Sequence, residues 1–201
     1  LILLQACGFA GDSGVTRACI AGILPASTSL GHSAGLALSG RLTQQFMTDK
    51  PRIFVTIAAY ADPELPRTLA DCLEMAAQPE RLSFGICWQQ DPQSPIDVDR
   101  FREDPRFRFI DRTIMQSRGG PWARNLAQSL WRGEPYVLQV DSHMKFEPGW
   151  DDRLIDMLES LPASKPIITM NAPLFHYDEH GVLHRKFEMG VPTTRVNGWS
   201  K

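Results

Sequence analysis

From residue 51 onward, apolar and polar positions fall into blocks that change period from one to the next. Residues 52–59 (RIFVTIAA) make a short apolar run rich in β-branched residues, which predicts a buried strand. Residues 60–63 then turn. Residues 64–77 carry Leu65, Leu69, Leu73 and Ala76 on one helical face, with Pro66 in the first turn where it is tolerated. Further strands are predicted at 82–88 (LSFGICW), 107–110 (FRFI), 136–140 (YVLQV) and 167–170, and further helices at 121–131 and 151–161. Strands that alternate with helices predict an α/β domain, a mostly parallel sheet with helices on both faces. Ligands of such sheets bind beyond the carboxyl ends of the strands. Three clusters fall at those ends: residues 56–62, 88–91 and 141–143.

The alternating pattern is missing before residue 49. Residues 1–48 hold seven of the 15 glycines and only three charged residues, Asp12, Arg17 and Arg41. They read as a poorly ordered extension, the alternative being a short packed appendage. Across the whole chain, 201 residues with 43% hydrophobic and 22% charged content suit one domain with a tail. The net charge of -2 gives no global basic field for nucleic acid. No run of about 18 apolar residues predicts a membrane span. Cys7, Cys19, Cys72 and Cys87 form no CxxC pair, and a chain this long needs no disulfide staples. Reduced, buried thiols in a cytoplasmic setting are expected. A start at Leu1 rather than Met suggests a piece of a longer protein.

Asp141-Ser142-His143 closes the apolar run 136–140. In extended chain, positions i and i+2 share a face. A carboxylate and a neutral imidazole so placed suit Mn²⁺ and related ions. The alternative is a strand end capped by Asp with a surface His. Thr56 and Tyr60, at the end of the first strand, can cradle a base and ribose. Asp62 and Glu64 beside them suit the positive end of a helix and predict an Asp62 cap. Arg118-Gly119-Gly120-Pro121-Trp122-Ala123-Arg124 places two arginines around a glycine turn before a helix, a pattern that suits phosphate. Taken alone, the pattern reads first as a Gly-Pro helix entry with two solvated arginines. His176, His180 and His184 recur every four residues, but Asp178-Glu179-His180-Gly181 is turn chemistry. A hairpin with the three histidines apart is expected there, rather than a metal triad.

Taken together, Ile53-Phe54-Val55-Thr56-Ile57-Ala58-Ala59-Tyr60, Asp62-Pro63-Glu64-Leu65, Phe84-Gly85-Ile86-Cys87-Trp88-Gln89 and Gln139-Val140-Asp141-Ser142-His143-Met144-Lys145-Phe146 through Gly149-Trp150-Asp151 resemble the GlcNAc-transferase family. That family is typified by the cytoplasmic enzyme that glycosylates hydroxyproline on Skp1, and is related to the polypeptide GalNAc-transferases. The resemblance covers about residues 51–201. It implies a GT-A-like, Rossmann-type fold in which residues 49–201 are the nucleotide-sugar-binding part, cut short at the carboxyl end. It implies a UDP-sugar donor, UDP-GlcNAc by analogy, a protein or glycan acceptor, Mn²⁺ or Mg²⁺, and transfer with retention. Asp141 and His143 would be the metal ligands, Thr56 and Tyr60 would lie beside the uridine, and Arg118 and Arg124 near the diphosphate. No catalytic base is assigned. A non-catalytic nucleotide-sugar-binding fragment and a metal-dependent hydrolase are the competing expectations.

Overall fold

The computed structural model describes residues 2–7, 17–19, 52–163, 165–171 and 174–186. The order of elements is β1 (Ile2–Cys7), β2 (Arg17–Cys19), β3 (Ile53–Tyr60), α1 (Leu65–Glu74), β4 (Leu82–Gln90), α2 (Asp99–Arg102), β5 (Phe107–Thr113), α3 (Gly120–Gln128), β6 (Tyr136–Asp141), β7 (Met144–Lys145), α4 (Trp150–Glu159), β8 (Ile168–Asn171), β9 (Leu174–Tyr177) and β10 (Leu183–Lys186). Six strands form a sheet in the order β5-β4-β3-β6-β1-β8, and every pairing in it is parallel. A second sheet, β10-β9-β2-β7, is mixed. The α/β class expected from the alternating pattern is the one observed. Of the glycine-rich extension, only the strands β1 and β2 fall among the described residues.

Chain order explains where a ligand can sit. β4 and β5 lie to one side of β3, whereas β6 returns to the other side. The carboxyl ends of β3 and β6 therefore flank a topological switch point, the usual crevice of an open α/β sheet.

Alternation along β3 divides its side chains between two layers. Ile53, Val55, Ile57 and Ala59 join Phe84, Ile86, Leu138 and Val140 in a core closed by Leu65, Leu69 and Cys72 of α1 and by Leu154, Ile155 and Leu158 of α4. On the opposite face, Cys87 packs with Ala123 and Ala127 of α3. Gly85 makes that second contact close. A Cβ there would come within 2.3 Å of the Phe54 ring and 2.6 Å of the Ala127 carbonyl oxygen.

Several boundaries differ from the predicted ones, for identifiable reasons. β4 and β5 run on through polar residues because Gln89 pairs with Arg112 and Gln90 with Thr113 in the ladder. Helix α1 stops at Glu74, ahead of the expected Ala77. The N–H groups of Ala77 and Gln78 donate instead to the Asp151 carboxylate, at 2.7 and 3.0 Å. Asp151 is fully buried and also accepts from Arg81 Nη2 at 2.7 Å. Burial opposes its charge, but these donors outweigh burial and hold its pKa below the ordinary carboxylate value. Gly149, at φ +70°, and Trp150, whose indole N–H donates to the Cys72 carbonyl at 2.9 Å, complete this joint between α1 and α4.

At the amino-terminal end of the strands, Glu134 accepts from Ser83 Oγ at 2.6 Å and Arg108 Nη2 at 2.7 Å. Burial raises its pKa, yet Ser83, Arg108 and the N–H of Arg132 bring it down to about 2. A carboxylate depressed in the folded state stabilises fully above its unfolded value, and that contribution fades as pH falls through the folded one. Substituting Glu134→Gln is expected to cost stability at neutral pH, with the difference from wild type closing between pH 4.5 and about 2 in urea titrations. Gly85→Ala is expected to lower unfolding free energy by about 1–3 kcal/mol, the usual range for overpacking, in the same measurement.

Candidate functional site

Register brings the switch-point residues together. Ala58 of β3 pairs with Asp141, the last residue of β6. Thr56 shares the face of Ala58 and lies deeper, only 1% exposed, with no hydrogen-bond partner for its hydroxyl among the described residues. Tyr60, two residues beyond Ala58, stands at the strand end with 56% of its surface exposed. The two residues expected beside a base are thus one below the surface and one on it.

After Tyr60 the chain reverses through Ala61, whose φ of +43° is a left-handed conformation that a non-glycine residue seldom adopts. The Ala61 N–H donates to the Gln89 carbonyl at 2.8 Å, which holds the turn against β4. Asp62 follows. Its Oδ1 accepts the Glu64 N–H at 2.9 Å in the turn before α1, so it is not the expected helix cap: Glu64 holds the N-cap position and the helix has no side-chain cap, because it begins one residue later, at Leu65. Its other oxygen has a different use. Asp62 Oδ2 accepts from Ser142 Oγ at 2.7 Å and lies 2.7 Å from His143 Nδ1. Burial alone would raise the Asp62 pKa, but the hydrogen bonds of His143, Glu64 and Ser142 outweigh it and keep the carboxyl below its ordinary range.

The segment after β6 is held by α1. Thr68 is buried, and its hydroxyl lies 2.9 Å from the Ser142 carbonyl oxygen and accepts the Met144 N–H at 2.9 Å. One turn further along the helix, Asp71 accepts the Phe146 N–H at 2.6 Å and Lys145 Nζ at 3.2 Å. Ser142 is buried between the two partly exposed residues of its motif.

From the other face of the sheet, α3 delivers Arg124, whose Nη2 lies 3.2 Å from Asp141 Oδ1. Arg118 is exposed, in the stretch that leads through Gly119 (φ +91°) into α3. The structure thus forms two bonded sets on adjoining residues, Asp62 with Ser142 and His143, and Arg124 with Asp141, with Tyr60 at the end of β3 and Arg118 on the approach to α3. Asp62 as a partner of His143, and Thr68 and Asp71 as anchors, are the functional neighbours that sequence reasoning missed. Each is joined to its partner across more than 70 residues, and no local pattern signals such a link.

Comparison with known proteins bears on this edge. The pattern of one family, described as Glycosyltransferase (GlcNAc), matches residues 52–101 and 97–190. The chain belongs to the glycosyltransferase (GlcNAc) family. No curated protein and no solved structure gives a match. Membership establishes glycosyl transfer as the class of chemistry, with a sugar donor and an acceptor as its substrates.

Elsewhere in this glycosyltransferase, the histidine series lies on the hairpin β9–β10 as expected. His176 and His184 are not apart, however. They are directly opposite in the antiparallel ladder and their rings stack at 5.3 Å. Asp178 Oδ2 holds His184 Nε2 at 2.7 Å. Among the described residues no group of three or more His, Cys, Asp or Glu is arranged to hold a metal ion. None of the described helices is long and apolar enough to cross a membrane. Cys72 and Cys87 are buried free thiols. A cleft of about 390 Å³ opens at the amino-terminal end of the strands, lined by Arg81, Arg106, Arg108 and Glu134 among others. Those arginines already bind Asp151, Asp104 and Glu134, which makes this cleft a structural ion-pair knot far from the switch point.

Thr68→Val keeps the shape of the side chain and leaves the Met144 N–H without its acceptor. It is expected to cost about 1–3 kcal/mol of unfolding free energy, the penalty for a buried unsatisfied group, as read by denaturant unfolding.

Proposed function

We propose that this chain is the donor-binding part of a GT-A-type glycosyltransferase that moves GlcNAc from UDP-GlcNAc to a hydroxyl of a protein or glycan, with retention. In this reading Asp141 and His143 hold Mn²⁺ or Mg²⁺, and the protein works in the cytoplasm, where Cys72 and Cys87 stay reduced. The observation that carries the proposal is the Arg124–Asp141 contact at the switch point, 3.2 Å, which joins a phosphate-type cation to a metal-type carboxylate.

The donor set fits a divalent cation. An aspartate oxygen and an imidazole nitrogen, one residue apart at a strand end, are ligands that Mn²⁺ accepts, and phosphate and water oxygens can fill the remaining positions. When bound, the cation supplies Lewis-acid neutralisation of the charge that builds on the departing diphosphate. The rest falls to the chain. Arg124 and Arg118 offer guanidinium forks that match phosphate oxygens. The first turn of α3 offers backbone N–H groups that a helix leaves unpaired. Tyr60 offers an exposed ring for the uridine, with Thr56 beneath it on the same face of β3. Fixed donors of this kind need no reorganisation as charge develops. No side chain is assigned as a base.

Calorimetry with UDP, with and without Mn²⁺, tests the reading. Metal-dependent UDP binding is expected, and Asp141→Ala should abolish it. In transfer assays with UDP-GlcNAc, Arg124→Ala is expected to lower kcat on the order of 10²–10³-fold, the usual effect of losing one electrostatic stabiliser. UDP binding of equal strength with and without metal would overturn the proposal. UDP binding without release of UDP from UDP-GlcNAc would leave a binding module instead.

A further inference from the structure

Asp62 has more bonds than the turn into α1 requires. That turn occupies one oxygen, Oδ1, which takes the Glu64 N–H at 2.9 Å. Asn would serve that purpose as well as Asp. The second oxygen reaches across 80 and 81 residues of sequence to Ser142 Oγ and His143 Nδ1, both at 2.7 Å. The backbone that delivers it carries the left-handed Ala61, at φ +43°, a conformation that a non-glycine residue seldom adopts. Local strain of this kind persists where surrounding contacts over-determine it. The middle residue of Asp141-Ser142-His143 gains a role by the same geometry: buried Ser142 donates to the oxygen that His143 faces and so fixes where that oxygen stands.

We infer that Asp62 is a positioning residue for His143, holding its ring as the Nδ1–H tautomer so that Nε2 is the nitrogen that binds the metal. The inference rests on the reading of His143 as a metal ligand. An ionised carboxylate has no hydrogen to give, so the proton in the short contact sits on Nδ1. A carboxylate behind a ligand histidine orients the ring and raises the basicity of the ligating nitrogen. Ser142 keeps that carboxylate from rotating away. The device thus runs from Asp62 through His143, with Ser142 as its stop.

Two measurements on the full chain test it. The first is ¹⁵N–¹H correlation of the histidine rings at mildly alkaline pH, with His143 assigned by its loss in His143→Gln. The Nδ1–H form is expected in the wild type, and a population of the Nε2–H form in Asp62→Asn, whose amide can turn a donor toward Nδ1. The second is Mn²⁺ affinity in the presence of UDP, read from the electron paramagnetic resonance signal of free Mn²⁺. Asp62→Asn is expected to weaken it by about 10–100-fold, the usual loss for such a partner. Thermal unfolding of the same samples shows that the variant is folded. An Nε2–H ring in the wild type overturns the inference without any variant being needed. So does a folded Asp62→Asn that binds Mn²⁺ like the wild type, and in that case the metal reading of the site survives. If the wild type itself binds no Mn²⁺, the proposed function falls and this inference with it.

Discussion

The site depends on two side chains of one helix holding a strand-to-helix connection whose ladder is the two-residue pairing of β7 with β2. Between β6 and α4 the chain must place Asp141 and His143 at the edge of the sheet, and only the short strand β7 interrupts the connection. Buried backbone groups left unpaired there would cost about 1–3 kcal/mol each. Thr68 and Asp71 of α1 take up this task, binding the carbonyl of Ser142 and the N–H groups of Met144 and Phe146. The same helix buries Leu65, Leu69 and Cys72 in the core. It therefore works on two faces, one apolar toward the sheet and one polar toward the site.

The second requirement is that charge from the other layer reach the same edge. Helix α3 crosses the opposite face of the sheet, and it comes close because Gly85 leaves room for the Phe54 ring and the Ala127 carbonyl. Arg124 is thereby within 3.2 Å of Asp141. A carboxylate at the end of β6 and a guanidinium from the far layer meet where the strand order reverses, and the imidazole two residues further on is held by Asp62.

Strands β3, β4 and β6 were legible in the sequence because their apolar runs are continuous and bounded by turn residues. Their polar extensions were not, since Gln89 and Gln90 belong to β4 only through pairing with a neighbouring strand. The end of α1 was misplaced because a carboxylate of α4, Asp151, captures the N–H groups of Ala77 and Gln78. Asp141, His143 and Arg124 stood out by residue type and by their place at strand and helix ends. Asp62 stood out only as a cap, because a local pattern shows the bond to Glu64 and hides the one to His143. The histidines of the hairpin were read as separated, although antiparallel pairing sets His176 against His184. Except in that hairpin, what escaped reading was decided by chain from elsewhere in the fold.

The joint between α1 and α4 has a consequence for how this molecule comes together. Arg81 meets Asp151 across 70 residues, Cys72 meets Trp150 across 78, and Asp62 meets His143 across 81. These links all close the same long loop, and the entropy of closure is spent nearly once for the set, since it grows only slowly with loop length. After the first link forms, the others follow at little further cost. The edge that carries His143 and the buried joint should accordingly form as one late cooperative step, as non-local contacts do. No half-assembled site, with His143 placed but Asp62 still free, would persist along the way.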